Sequence, residues 1–244
     1  MFPFILKLGQ FQVHAHLVLE ILAYSLGYRF YVYLKSRTID LISEPDRLWI
    51  FIGAAAGGFL GAHIVGVLER PDLAPTFINF MQNKTIVGGL LGGLFGVEFT
   101  KKLLNVTTSS GDLMTFPLIF GMCVGRIGCF LEGLEDGTYG NATTLPWGVD
   151  FGDKCLRHPT QLYDIAFLLS LALIIVFIEH RYKLKNGSRF KIFLSNYFLY
   201  RFFVEYIKPN DFYIFGFCAI QICCLIGVIY YWRVFVKPLS LISK

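Results

Sequence analysis

Charge is scarce in this chain. Only 16% of its 244 residues are Asp, Glu, Lys or Arg, against roughly a quarter in an average soluble domain. With 22 Lys+Arg and 17 Asp+Glu, there are too few charged side chains to clothe a fold of this length in water. That excludes an ordinary cytosolic enzyme. Cysteines at zinc-ligand spacing are also missing: Cys123, Cys129, Cys155, Cys218, Cys223 and Cys224 lie mostly inside apolar runs and read as small buried hydrophobes. The opening Met1-Phe2-Pro3-Phe4 lacks a basic stretch followed by a short apolar core and a small-residue cleavage site, so no removable signal peptide is expected. What fills the chain instead is 55% apolar residues, with 25 Phe and 13 Tyr, at a mean hydropathy of +0.57. This composition excludes a disordered chain, and the net charge of +5 does not make it a nucleic-acid binder.

A bilayer core about 30 Å thick needs about 20 apolar residues per helix. Seven windows approach that, near Val13–Leu34, Leu48–Leu68, Thr85–Leu103, Leu113–Leu131, Leu162–His180, Lys191–Ile207 and Tyr213–Val236, the third and sixth being the weakest. The expected fold is an all-α, polytopic integral membrane protein of about seven transmembrane helices, a single transmembrane domain over residues 1–244. Of the Lys and Arg, 13 fall on the side of the first, third and fifth loops and the C-terminal tail. Six fall on the other side, and Arg29, Arg126 and Arg201 lie inside spans. The positive-inside rule then places the N-terminus outside and the C-terminus in the cytoplasm. The polar stretch 134–159, with Asp136-Gly137, Asn141 and Gly148, becomes a turn-rich outer loop.

An ionisable side chain in hydrocarbon costs at least about 2.5 kcal/mol, so each needs a partner or a purpose. Arg126 sits among glycines, in Gly125-Arg126-Ile127-Gly128-Cys129-Phe130, which would let another backbone or a ligand come close. Two readings stand: a structural ion pair with Glu98 or Glu132, or recognition of a phosphate or carboxylate by the rigid guanidinium fork. Arg201 and Glu205, four apart with Tyr197 one turn earlier, share a helical face. They are either an internal pair that lets the helix stay in lipid or an arginine held by glutamate toward a cavity. Gly88, Gly89, Gly92, Gly93 and Gly96 form overlapping small-xxx-small patterns, for close helix packing or for a groove that admits a lipid. His158-Pro159-Thr160-Gln161-Leu162-Tyr163-Asp164 reads as a helix start, either anchored at the interface through Tyr163 or lining a substrate. His14, His16 and His63 read first as structural residues.

Taken together, Lys84-Thr85-Ile86-Val87-Gly88-Gly89-Leu90-Leu91-Gly92, the stretch Gly125 to Phe130, His158 to Asp164, Arg201-Phe202-Phe203-Val204-Glu205 and Lys208-Pro209-Asn210-Asp211 resemble the prolipoprotein diacylglyceryl transferase family over nearly the whole chain. The resemblance implies a multi-pass enzyme of the bacterial plasma (inner) membrane that works without a cofactor or metal. It would transfer the diacylglyceryl group of phosphatidylglycerol to the thiol of a prolipoprotein signal-sequence cysteine, or to another acceptor, with glycerol phosphate leaving. Its partners would be phosphatidylglycerol, the lipoprotein precursor or other acceptor, and membrane lipids, with no nucleic acid. Arg126 matches the arginine of the family's Gly-Arg-x-Gly signature, and Arg201 with Glu205 its later Arg-x-x-x-Glu pair, so these three are the candidate catalytic residues. Gly88, Gly89, Gly125, Gly128, His158, Gln161, Tyr163 and Tyr197 are the candidate substrate-binding set.

The chain also departs from the family pattern. Val87 replaces a histidine before the double glycine, Cys129 an asparagine, Leu134 a glutamate with Glu132, Glu135 and Asp136 nearby, and His16 the tyrosine of a His-x-Tyr pattern. His63 aligns with an arginine. Valine takes no proton, so either His16, His63 or Glu132 fills the vacant role, or the base is dispensable at a thiol pKa of roughly 8.5, or the reaction differs. The chain reads as a divergent paralogue. The alternative is a non-catalytic anionic-lipid-binding or transport protein derived from the family.

Overall fold

The computed structural model describes residues 2–8, 11–74, 76–210 and 215–243. Met1, Asp211 of the fifth matching stretch, Tyr213 at the start of the seventh window and Lys244 of the basic tail therefore lie outside the described residues, as does the side chain of Lys7. The chain opens with a hairpin, β1 (Ile5–Leu8) and β2 (Phe11–His14), and runs straight into α1 (Ala15–Ser36). There follow α2 (Glu44–Leu68), the short α3 (Phe77–Gln82), α4 (Ile86–Leu103) and α5 (Asp112–Glu132). A ribbon of β3 (Val149–Asp150) and β4 (Leu156–Arg157) precedes α6 (Thr160–Arg181), α7 (Ser188–Val204), α8 (Ala219–Tyr230) and α9 (Arg233–Val236).

The structure is mostly helical, as expected, and also holds two small antiparallel ribbons, one in the N-terminal hairpin and one within the 134–159 loop. Among the described residues four helices, α1, α2, α5 and α6, are long and apolar enough to cross a membrane. Helix α4 has 18 residues but ends on Glu98, Lys101 and Lys102, α7 has 17, and α8 has 12. At 1.5 Å per residue, α8 spans roughly 18 Å, short of a bilayer core. Outward faces are apolar, as a lipid contact requires: Leu173 and Phe177 on α6 are 71% and 65% exposed.

Helix ends leave backbone groups without intrahelical partners, and side chains supply them here. The side chains of Ser43 and Thr85 accept from Asp46 N and Gly88 N at the starts of α2 and α4. Two other caps come from distant helices. The Asp112 carboxylate, at the start of α5, accepts from Gly187 N at 2.6 Å and Phe190 N at 2.9 Å and so caps α7. Glu69, just past α2, accepts from Ile220 N at 2.6 Å in the first turn of α8, and burial pushes its carboxyl above the usual range.

Packing then sets the positions of the site helices. Helices α2 and α4 meet backbone to backbone: Gly53 faces Gly96, Gly57 faces Gly92 and Gly61 faces Gly88, and a methyl group at Gly57 or Gly92 would collide with the opposing carbonyl. Helix α1 lies along α5, where Gly128 brings the α1 backbone in: a Cβ there would stand 3.4 Å from His16 Cα. Helix α7 is the centre of the core. Phe193, Leu194, Tyr197 and Phe198 are fully buried against Leu168 and Ile175 of α6 and Cys224 of α8.

Candidate active site

Helices α5, α6 and α7 each carry one ionisable residue to the same point. Arg126, in the fourth turn of α5, places Nε 2.6 Å from Oδ2 of Asp164, which lies in the second turn of α6. Arg201, near the end of α7, donates from Nη1 to the same Asp164 oxygen at 3.0 Å. The two guanidinium groups therefore converge on one carboxylate. Arg201 also pairs through Nη2 with Glu205, one turn on. The second Glu205 oxygen accepts from Asn210 Nδ2 at 2.6 Å, and Lys208 Nζ stands 3.8 Å from the first. Arg126, Asp164, Arg201, Glu205 and Lys208 are all less than a tenth exposed. Burial pulls the Lys208 ammonium below the usual lysine range, and the Glu205 charge offsets this only in part. Three cationic side chains thus face two carboxylates, a balance that suits one further monoanion.

The expectation of an ion pair between Arg126 and Glu98 or Glu132 is overturned. Glu98 is 3.5 Å from Lys101, and Glu132 accepts from His14 Nδ1 at 2.6 Å. Asp164 is the residue that sequence reasoning missed as a functional group, although the signal is present: it is an ionisable side chain five residues after Pro159, within the fifth apolar window. Asn210 and Asp136 carry no comparable signal, since both stand in polar loops where such residues are ordinary.

Around this cluster the candidate substrate-binding residues divide. Gly125 has nothing within 4 Å of where a Cβ would sit, so the α5 surface beside Arg126 is open. Gln161 is fully buried with both amide atoms lacking a hydrogen-bond partner among the described residues, and the Tyr197 hydroxyl is likewise buried without one. His158 and Tyr163 join each other, Nδ1 to hydroxyl at 3.1 Å, and Trp147 Nε1 donates to the same hydroxyl at 2.8 Å. Gly88 lies in the α2–α4 contact, against the Gly61 backbone, and a Cβ added at Gly89 would meet nothing nearer than 3.6 Å. A cavity of about 590 Å³ opens elsewhere, lined by Arg47, Ser110 and Lys185 at the far ends of α2, α5 and α7.

The loop over 134–159 covers the arginine end of the bundle. Asn141 N donates to Ile207 O at 2.8 Å and Gly140 N to His158 O at 2.8 Å, which ties the loop to the end of α7 and the start of α6. Phe151, 2% exposed, fills its underside against Phe2, Phe130 and Tyr139.

Of the three candidate bases, His63 is occupied: its Nδ1 faces Phe80 O at 2.9 Å and Asn83 O at 3.1 Å, in and just past α3. Glu132 is engaged with His14. His16 is different. Its Nδ1 stands 3.5 Å from Asp136 Oδ1 and its Nε2 3.7 Å from Glu20 Oε2. His16, Cys129 and Asp136 bring a ring nitrogen, the sulfur and a carboxylate oxygen within 4.8 Å of one another. Arg126 Nη1 is 3.9 Å from that sulfur. Val87 is 1% exposed, a core side chain of α4.

Comparison with known proteins places this geometry. The family model for prolipoprotein diacylglyceryl transferase matches residues 3–236. A phosphatidylglycerol–prolipoprotein diacylglyceryl transferase of Wolbachia pipientis wMel is 29% identical over 223 residues, covering 87% of this chain and 84% of the relative. The protein of the same name from Glaesserella parasuis is 29% identical, with 86% and 80% covered. That from Campylobacter lari is 31% identical over 184 residues, with 70% and 66% covered.

Proposed function

We propose, since the chain belongs to the prolipoprotein diacylglyceryl transferase family, that it transfers the diacylglyceryl group of phosphatidylglycerol to a cysteine thiol in a prolipoprotein signal sequence. The observation that carries this reading is the meeting of Arg126 and Arg201 at Asp164 under the outer loop. A phosphodiester entering beside Gly125 would accept hydrogen bonds from both guanidinium groups. Charge grows on the phosphate oxygen as the glycerol carbon leaves it, and fixed cations in a water-poor site stabilise that charge. The sulfur–carbon bond forms, the carbon–oxygen bond breaks with its electron pair on phosphate, and the thiol proton goes to a base.

His16 takes that part in this reading. Its Nδ1 stands 3.5 Å from Asp136 Oδ1 without a hydrogen bond among the described residues, and the ring lies beside Arg126 through Cys129. Glu205 holds Arg201 in place, and Gln161 with Tyr197 offers polar groups to the headgroup. Seven spans with the N-terminus outside, in a bacterial inner membrane, complete the reading and put Arg126 toward the outer leaflet.

Incubation of the purified protein with radiolabelled phosphatidylglycerol and a lipobox peptide tests it. Label should pass to the peptide, be lost in Arg126→Ala, and fall about a hundredfold or more in His16→Ala, the usual worth of a general base, while His63→Ala keeps its rate. Val87 in place of the family histidine favours one second reading, lipid binding without transfer. Bound lipid with no labelled peptide would establish that instead.

A further inference from the structure

We propose that Cys129 is itself an acceptor: in a dead-end side reaction that competes with transfer to the peptide, its sulfur takes the diacylglyceryl group from phosphatidylglycerol and leaves that copy of the protein S-alkylated within its own site. The inference rests on the reading that Arg126 and Arg201 hold the lipid phosphate. The site contains a thiol of its own.

Three observations point the same way. The Cys129 sulfur lies 3.9 Å from Arg126 Nη1. A phosphate oxygen bonded to that guanidinium brings the adjacent glycerol carbon to the sulfur, while the acyl ester carbonyls stand several bonds farther away. A proton acceptor is at hand, since His16 and Asp136 lie within 4.8 Å of the sulfur and of each other. The thiol is also reachable: Cys129 is only partly buried, whereas Cys123, Cys218 and Cys224 are sealed in the core, and Gly125, one turn earlier, leaves space open. The same His, Cys and Asp could be read as ligands of a dication, but the fixed positive charge of Arg126 beside the sulfur opposes that.

The step balances without an oxidant or reductant. Sulfur forms a bond to the glycerol carbon that carried the phosphate, that carbon's bond to oxygen breaks, and the electron pair stays on the departing glycerol phosphate. The thiol proton passes to His16 and from there to the leaving group. The product is a thioether, which neither thiols nor neutral hydroxylamine reverse. Attack on an acyl ester would instead give a hydroxylamine-labile thioester and a lysophospholipid.

The test uses the full chain purified in detergent, incubated with phosphatidylglycerol of one defined acyl composition, then intact-mass measurement and peptide mapping before and after neutral hydroxylamine. A parallel sample contains a lipobox peptide. The expected result is one diacylglyceryl increment on Cys129 that survives hydroxylamine, disappears in Cys129→Ser and in Cys129→Asn, persists in Cys155→Ser, and forms about tenfold or more slowly in His16→Ala. A hydroxylamine-labile adduct, or a stable one mapped to another cysteine, overturns the proposal. So does an unmodified Cys129 alongside an alkylated peptide, which leaves the transferase reading standing. An unmodified Cys129 with an unmodified peptide sinks both.

Discussion

At the scale of single residues, the site depends on one carboxylate shared by two arginines. Asp164 neutralises part of the charge of Arg126 and Arg201 in a setting less than a tenth exposed. Removing one member of a buried ion network leaves the rest uncompensated, at a typical cost of 3–5 kcal/mol. Asp164→Ala should therefore lower the unfolding temperature in detergent far more than Asp153→Ala, whose pair with Arg157 stands in the exposed loop. A second expectation concerns shape rather than charge. Arg126→Lys keeps the cation but loses the planar donor fork, so diacylglyceryl transfer should fall strongly while the protein remains folded by size-exclusion profile; wild-type rates would deny Arg126 its phosphate role. Arg126, Arg201 and Glu205 were legible in the sequence because ionisable residues inside apolar windows are conspicuous. Their common partner was less so, since the rule that marks a buried charge does not say which helix brings its counter-ion. His16 was legible only as one of three candidates, and what separates it from His63 is the tertiary fact that α3 supplies carbonyls to one ring and not to the other.

Between elements, the α2–α4 contact behaves as a single unit. The small-xxx-small pattern of α4 announces close packing, but its partner face in α2, Gly53, Gly57 and Gly61, is found only in the structure. Gly57→Leu should separate the two helices and give aggregated or poorly extracted protein. Gly89→Ala, whose added carbon meets nothing nearer than 3.6 Å, should leave the elution profile and melting temperature close to wild type. Equal damage from both would mean that the glycine face is not an interface. The trans caps escaped the sequence because each depends on a partner far along the chain: Asp112 caps a helix 75 residues later, and no local spacing encodes that.

For the molecule as a whole, composition alone pointed to a membrane; each of the seven windows holds a helix among the described residues, and four of those helices have the length and hydropathy of a span. Orientation is the part that charge counting carries by itself. A phosphatase or fluorescent reporter fused after Lys185 should report a cytoplasmic location, and periplasmic activity there would invert the topology and with it the side from which phosphatidylglycerol is drawn.

The loop pinned to Ile207 has a kinetic corollary. Because that loop is tied down at the end of α7, the approach left open is sideways, between helices, at the level of Gly125. Both reactants would then meet by diffusion in a plane. The quantity that saturates such a catalyst is the number of lipid molecules per unit of bilayer area, so diluting phosphatidylglycerol with a zwitterionic lipid would slow it, whereas diluting the vesicles in buffer would not.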